Sequence, residues 1–110
     1  MIDERIQTIQ STIEAAPNIP PTKKAELLEL VAGLKSELSD LAQTHEEKAA
    51  SITRFADASA HEAARADKDP QLAENALDGL RLSIQGLEDS HPVIVGTVSR
   101  FATALSNMGL

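Results

Sequence analysis

The sequence has 110 residues, a net charge of −7 and no cysteine, and Phe55 and Phe101 are its only residues of the Phe, Trp or Tyr type. This length fits one domain. Its ten Lys and Arg residues are scattered, so we expect neither nucleic acid nor an anionic membrane as a partner. The lack of cysteine excludes disulfides, thiolate catalysis and cysteine-ligated zinc. The first residues do not resemble a signal peptide, and no run of about 18 apolar residues occurs, which indicates a cytoplasmic protein.

Isoleucines at helical spacing predict a short first helix over residues 2–15. The stripe that they form consists of Ile2, Ile6, Ile9 and Ile13. A proline-rich break over residues 16–21 follows, because Pro17, Pro20 and Pro21 lack the backbone N–H that a helix interior needs.

A long helical arm is predicted over residues 22–66. Its first part has an a/d heptad seam formed by Leu27, Val31, Leu34, Leu38 and Leu41. Beyond this seam the apolar positions shift by one residue and resume at Ala49, Ile52, Ala56 and Ala63. The shift is typical of a stutter in a continuous or kinked helix. The alternative is a break, because Thr44-His45-Glu46-Glu47 has the spacing of a capping box. We favour the continuous or kinked helix, because no glycine or proline interrupts it near residue 44.

Asp67-Lys68-Asp69-Pro70 predicts a turn over residues 67–70, in which Asp69 caps the next helix and Pro70 is its first residue. Helical spacing then predicts a helix over residues 70–90, with the stripe Ala73, Leu77, Leu80, Ile84 and Leu87. Ser90-His91-Pro92 repeats the signal of a cap before proline, so His91 is assigned as a helix cap. The last helix is predicted over residues 92–108, with Gly109 as its C-terminal cap and the stripe Ile94, Val98, Phe101, Leu105 and Met108.

These elements predict an all-α fold: a long antiparallel αα-hairpin with a short N-terminal helix, assembling into a helical bundle or coiled coil. Small residues recur every seven positions on both arms, at Ala49, Ala56 and Ala63 and at Gly79 and Gly86. We expect them to let the arms approach closely. The alternative is that the alanines only reflect the high helix propensity of an exposed segment.

The stretch Leu87-Glu88-Asp89-Ser90-His91-Pro92, followed by Ile94, Leu105 and Asn107-Met108-Gly109-Leu110, resembles the DUF4404 family of bacterial domains of unknown function. The break from Pro17 to Thr22 is similar to a proline-bearing break in the helical N-terminal half of that family. The resemblance is specific over the last quarter of the chain and loose elsewhere, and the Ala-rich segment 46–66 looks like an expansion. It implies a helical fold and a bacterial, cytoplasmic origin, and it implies no activity.

Glu88-x-x-His91 has the spacing that carboxylate-bridged metal sites use in helical bundles. Such sites need a second motif and further carboxylates on facing helices, and this sequence contains the motif once. Asp57 and His61 lie four residues apart and predict an ordinary surface pair. No Ser, Thr or His lies in a recognised catalytic motif. We therefore predict no catalytic residue, no metal site and no cofactor.

The last predicted helix carries one charged residue, Arg100, and its apolar surface is wider than one hairpin can cover. Exposed apolar surfaces of this kind mark interfaces. We therefore predict a non-enzymatic structural or interaction module that self-associates through this helix, with a dimer favoured. The predicted interface comprises Ile94, Val98, Phe101, Leu105 and Met108, with the seam Leu27, Val31, Leu34, Leu38 and Leu41. The alternative is a small acidic chaperone or adaptor that binds an amphipathic helix of another protein, and an enzyme or metal carrier ranks third.

Overall fold

A computed structural model of the protein describes residues 2–108, which form five α-helices. These are α1 (Ile2–Ala15), α2 (Pro21–Ala42), α3 (Glu46–Ala64), α4 (Pro70–Ser83) and α5 (Pro92–Ser106). No strand occurs in this part of the chain, and the predicted all-α class is confirmed. The predicted cap Gly109 lies outside the described residues.

Helix α3 is the centre of the bundle, because it packs against each of the other four helices. Its most extensive contacts are with α4 and α1, while α2 packs against α5 and α1. The bundle measures 38 × 24 × 22 Å. Because α1 and α4 do not contact each other, they cover different sides of α3.

The predicted continuity of the arm over residues 22–66 is wrong, because the chain turns at residues 43–45 and separates α2 from α3. A continuous helix of that length would extend about 68 Å, whereas the longest dimension of the bundle is 38 Å. His45 leaves the helical conformation, with φ −136° and ψ 64°. Its amide donates to the Leu41 carbonyl at 2.7 Å, and its carbonyl accepts from the Ala49 amide at 3.0 Å. The one-residue shift in the apolar pattern therefore marks a turn that directs both stripes to the core.

The helix predicted over residues 70–90 also ends early, at Ser83. Gly86 follows with φ +89°, a left-handed conformation that glycine adopts without strain. Ile84 and Leu87 remain buried, because the turn folds them back onto the core. Gly86, interpreted from the sequence as a small packing residue, instead forms part of the turn that ends α4.

Lysine side chains cap the C-terminal ends of three helices, where backbone carbonyls lack an intrahelical donor. Lys24 donates to two carbonyls at the end of α1, Lys48 to two at the end of α4, and Lys68 to one at the end of α3. The Nζ–O distances lie between 2.6 and 3.3 Å. These basic residues therefore stabilise helix ends and do not form a basic surface.

The apolar stripes of the helices meet in one core. Two buried hydroxyls in α3 are satisfied within the helix, because Thr53 donates to the Ala49 carbonyl and Ser59 to the Phe55 carbonyl, both at 2.7 Å. The largest side chains with less than 2 % exposure are Phe101, Ile6, Ile9, Ile13, Leu27, Leu34, Leu38, Leu41, Ile52, Leu80, Leu105 and Val31.

We expect Phe101→Ala to lower the free energy of unfolding by about 3–5 kcal/mol, because removal of a fully buried ring leaves a cavity. Denaturant unfolding followed by circular dichroism measures the difference. Glu29→Ala, on an exposed position of α2, is the control and should change the free energy by less than about 0.5 kcal/mol. A Phe101 variant as stable as the wild type would contradict the placement of this ring in the core.

Candidate interaction surfaces

The residues predicted as an oligomer interface lie in the core of a single chain. The stripe of α5 is 0–2 % exposed apart from half-buried Met108, and the seam of α2 is 0–1 % exposed. Because α2 packs directly against α5, the two stripes cover each other. The interface prediction is corrected for all of these side chains except Met108, because a side chain that is buried within its own chain does not face a second chain in the folded protein. The predicted residues are Ile94, Val98, Phe101, Leu105 and Met108 on the α5 side, and Leu27, Val31, Leu34, Leu38 and Leu41 on α2.

Four large apolar side chains are exposed within residues 2–108, and three of them lie on α3 and α4. These three are Phe55 (39 %), Leu72 (45 %) and Leu82 (60 %), whereas Val93 (66 %) lies in the first turn of α5. Leu72 and Leu82 lie seven residues before and three residues after Gly79, so they share its side of α4. Phe55, Leu72 and Leu82 are named the α3–α4 apolar surface.

The ring of Phe55 lies directly against the backbone of α4 at Gly79. A Cβ placed on Gly79 would come within 2.9 Å of the Phe55 Cζ and closer still to two other ring carbons. A residue without a side chain therefore permits this approach of α3 to α4, as expected from the small residues of the sequence. The alanines at 49, 56 and 63 are also buried, with exposures of 0–1 %.

A groove of about 590 Å³ lies between α1 and α3, next to Phe55. Its lining includes Arg5 and Arg54 together with Asp57 and Glu62, so its charged residues balance. Arg5 Nη1 lies 3.4 Å from Asp57 Oδ2. Asp57 therefore pairs with Arg5 of α1 and not, as the sequence predicts, with His61 of its own helix.

A local ion pair closes the C-terminal end of α3. Arg65 Nη1 donates to Glu62 Oε1 at 3.0 Å. This hydrogen bond, together with the negative charge of Glu62, raises the pKa of the Arg65 guanidinium. The guanidinium therefore stays protonated, and its position next to a helix C-terminus is electrostatically favourable.

The N-terminal ends of α3 and α5 meet through His45 and His91, a contact that was not predicted from the sequence. The ring centroids lie 5.2 Å apart, edge to face at 81°. Each Nδ1 pairs with the hydroxyl of the preceding residue, Thr44 at 2.8 Å and Ser90 at 2.9 Å. The two histidines have nearly the same backbone conformation. A hydroxyl residue and a histidine directly before a helix form a repeated sequence signal, which indicates the similarity of the two ends but not their contact.

The two residues predicted as caps act differently. Asp69 precedes α4, and its Oδ1 accepts a hydrogen bond from the Leu72 amide at 3.1 Å. His91 occupies the equivalent position before α5, but its side chain makes no capping hydrogen bond. Glu88 Oε1 accepts from the Gly86 amide at 2.8 Å in the preceding turn. Within residues 2–108, no group of three or more His, Asp or Glu side chains is placed to hold a metal ion.

A smaller cavity, of about 350 Å³, lies between α2 and the start of α5. Glu37 and Asp40 line it on the α2 side, and residues 90–94 line the other side. Glu37 Oε2 accepts from Thr97 Oγ1 at 3.1 Å, whereas Glu37 Oε1 is buried and has no hydrogen-bond partner. Among the buried side-chain nitrogen and oxygen atoms of residues 2–108, Glu37 Oε1 is the one without a hydrogen-bond partner.

A family model described as a domain of unknown function (DUF4404) matches residues 27–110. The match begins within α2 and includes α3, α4 and α5, so it extends well beyond the C-terminal quarter and includes the Ala-rich segment. No match was found among curated proteins, and none among solved structures. Among residues 2–108, no helix has both the length and the apolar character needed to cross a membrane.

We expect Gly79→Ala to stabilise the protein only when the Phe55 ring is absent. In the wild type the added Cβ displaces the ring, and the lost packing offsets the gain in helix propensity. In a Phe55→Ala background the same change should stabilise α4 by about 0.8–1.0 kcal/mol. Denaturant unfolding of the four proteins gives the coupling between the two positions.

Gly33→Ala is the matched control for this cycle. A Cβ on Gly33 meets one atom, Glu37 Oε2, at an ordinary 3.9 Å. This change should therefore stabilise α2 by about 0.8–1.0 kcal/mol whether or not Phe55 is present. A Gly79 effect that is equally independent of Phe55 would show that the ring does not lie on Gly79.

Proposed function

The chain belongs to the DUF4404 family, and we propose that it is a non-enzymatic interaction module that associates with a second copy of itself. The observation that carries the proposal is the position of the exposed large apolar side chains, three of which form the α3–α4 apolar surface. A protein of this size that buries its other apolar stripes and leaves these side chains exposed has a candidate contact surface. The contact is proposed on α3 and α4 because the stripe of α5 is covered by α2.

The charge distribution favours this side of the bundle for contact between two copies. Two chains that each carry a net charge of −7 repel each other. The groove next to Phe55, however, is lined by two arginines and two carboxylates, so a second copy meets no excess of negative charge there. Complementary charges at the edge of an apolar contact also fix the orientation of the partners.

A structural role for the histidines supports the non-enzymatic part of the proposal. His45 and His91 bond to the hydroxyls of their own neighbours and contact each other at the starts of two helices. These contacts join the turn between α2 and α3 to the turn before α5. The role that they support is structural. A bacterial, cytoplasmic setting belongs to the same proposal and rests on what the family resemblance implies.

An adaptor that binds an amphipathic helix of another protein is the second candidate. The groove of about 590 Å³ between α1 and α3 favours it, because a partner helix could extend from the Phe55 ring along this groove. The two candidates share Phe55 but differ in the partner, so the mass of the purified protein separates them.

We expect light scattering to give a mass that rises with concentration from the 11.7 kDa of one chain towards twice that value. Leu82→Glu should keep the protein monomeric, because it places a charge in the proposed contact at a position that is 60 % exposed and tolerates the change. Val93→Glu, at a similarly exposed position on α5, is the control and should associate like the wild type. A wild-type mass of one chain at every concentration would contradict self-association and favour the adaptor.

A further inference from the structure

We propose that the groove between α2 and α3, which α1 fills, is a binding site for an amphipathic helix of a partner protein. In this proposal α1 is a ligand tethered to its own site, and the partner helix displaces it. The inference does not rest on self-association, because the contacts involved are those of α1 with α2 and α3.

The other four helices hold together without α1. Helices α2 and α3 pack against each other, α4 packs against α3 and α5, and α5 packs also against α2 and α3. Within residues 2–108, α1 contacts only α2 and α3. The departure of α1 would therefore open one groove and leave the packing among the remaining helices in place.

The connection to α2 separates α1 from the rest of the chain. Residues 16–20 contain Pro17 and Pro20, and Pro21 begins α2, so α1 cannot continue into the next helix. A helix of 14 residues is only marginally stable in isolation. The groove, rather than the sequence of α1 alone, therefore keeps this segment helical.

The groove recognises mainly an apolar stripe. The buried side chains of α1 are Ile6, Ile9 and Ile13, each 0 % exposed, and their spacing is that of helices that bind in grooves. The ion pair of Arg5 with Asp57 lies at the edge, where both side chains contact solvent. Exposed pairs of this kind contribute little to affinity but favour one orientation of the helix.

Open space along α1 indicates that this helix does not fill its site completely. The groove of about 590 Å³ towards α3 is lined on the α1 side partly by Thr8 and Thr12, whose side chains are small. A cleft of about 180 Å³ separates α1 from Lys35 of α2. A third space, of about 590 Å³, lies at the N-terminal end of α1 next to Ala42. A helix with larger side chains would therefore bury more surface in the same site.

These contacts define the chemistry of the partner. It is an amphipathic helix that has aliphatic residues at the positions of Ile6, Ile9 and Ile13, a basic residue at that of Arg5, and large apolar residues at those of Thr8 and Thr12. The α1 helix of a second copy does not meet this description, because it makes the same contacts as the resident helix. It would also compete with a tethered segment whose effective concentration is on the order of millimolar.

Native-state hydrogen exchange of the full chain, followed by NMR, tests whether α1 leaves its site. After correction for intrinsic rates, the amides of residues 6–15 should exchange on the order of tenfold faster than the slowest amides of α5, because α1 opens locally. Equal protection of α1 and α5 would overturn the proposal, since α1 would then open only when the whole protein unfolds.

A peptide tests the displacement. It has the sequence of residues 2–15 with Thr8→Leu and Thr12→Leu, and we refer to it as the leucine peptide. Added to the wild-type chain, it should move the NMR resonances of α1 to those of a disordered segment and leave those of α4 and α5 in place. The unmodified peptide should need a concentration on the order of tenfold higher, because it buries less apolar surface.

The matched control is the leucine peptide with Ile9→Asp, which places a charge in the apolar stripe and should have no effect. Displacement by this control, or none by the leucine peptide at millimolar concentration, would overturn the proposal. The same titration in the Leu82→Glu variant should give the same displacement, because that substitution lies outside the groove. Since the mass of the wild type alone decides self-association, failure of the peptide to bind leaves that proposal unaffected.

A full-chain Ile9→Asp variant releases α1 without competition. It should bind a fluorescein-labelled leucine peptide, as measured by anisotropy, more tightly than the wild type does, because its own α1 no longer occupies the groove. Should this variant fail to fold alone, the peptide should restore its helical circular dichroism spectrum by supplying the missing helix. A variant that neither binds the peptide nor folds in its presence would overturn the proposal.

Discussion

Four helices can reach α3 because, apart from Ile52, the side chains that it buries are small. Ala49, Ala56, Ala60 and Ala63 are almost fully buried along it, and its buried hydroxyls bond to their own helix. Protein interiors are close-packed, so each small side chain on the central helix makes room for a large one from a neighbour. The isoleucines of α1, the leucines of α2 and Phe101 of α5 provide that volume. The small side chains of α3 therefore determine where the other helices can pack.

The division of the chain into short helices has an electrostatic consequence. Each helix end leaves backbone groups without an intrahelical hydrogen-bond partner. Side chains supply the missing hydrogen bonds or a compensating charge. Glu46 and Glu47 lie in the first turn of α3, where negative charge is favourable, and lysines serve the carbonyls at three helix ends. Three of the ten basic residues, Lys24, Lys48 and Lys68, are used in this way.

The sequence was sufficient for the all-α class, for α1, and for most positions of the core, because apolar periodicity records which side of a helix is buried. The apolar pattern does not show which element covers the buried side of a helix. It therefore predicts that the stripes of α2 and α5 contact a second chain, although in the structure these two helices pack against each other. The break at His45 has no glycine or proline to indicate it and depends on tertiary packing. The contacts of Phe55 with Gly79 and of His45 with His91 join residues far apart in sequence, which no local pattern predicts.

The pairing of α2 with α5 brings together segments far apart along the chain, as the bond between Glu37 and Thr97, 60 residues apart, illustrates. During synthesis α2 leaves the ribosome long before α5 does, since chains emerge from the N-terminus. Until the last helix docks, the leucines that it covers remain open to solvent and to chaperones. A chain that stopped before Pro92 would lack the cover that α5 provides, although α1 and α3 would still pack against α2. Docking of α5 on α2 is therefore a late step that depends on contacts between distant parts of the chain.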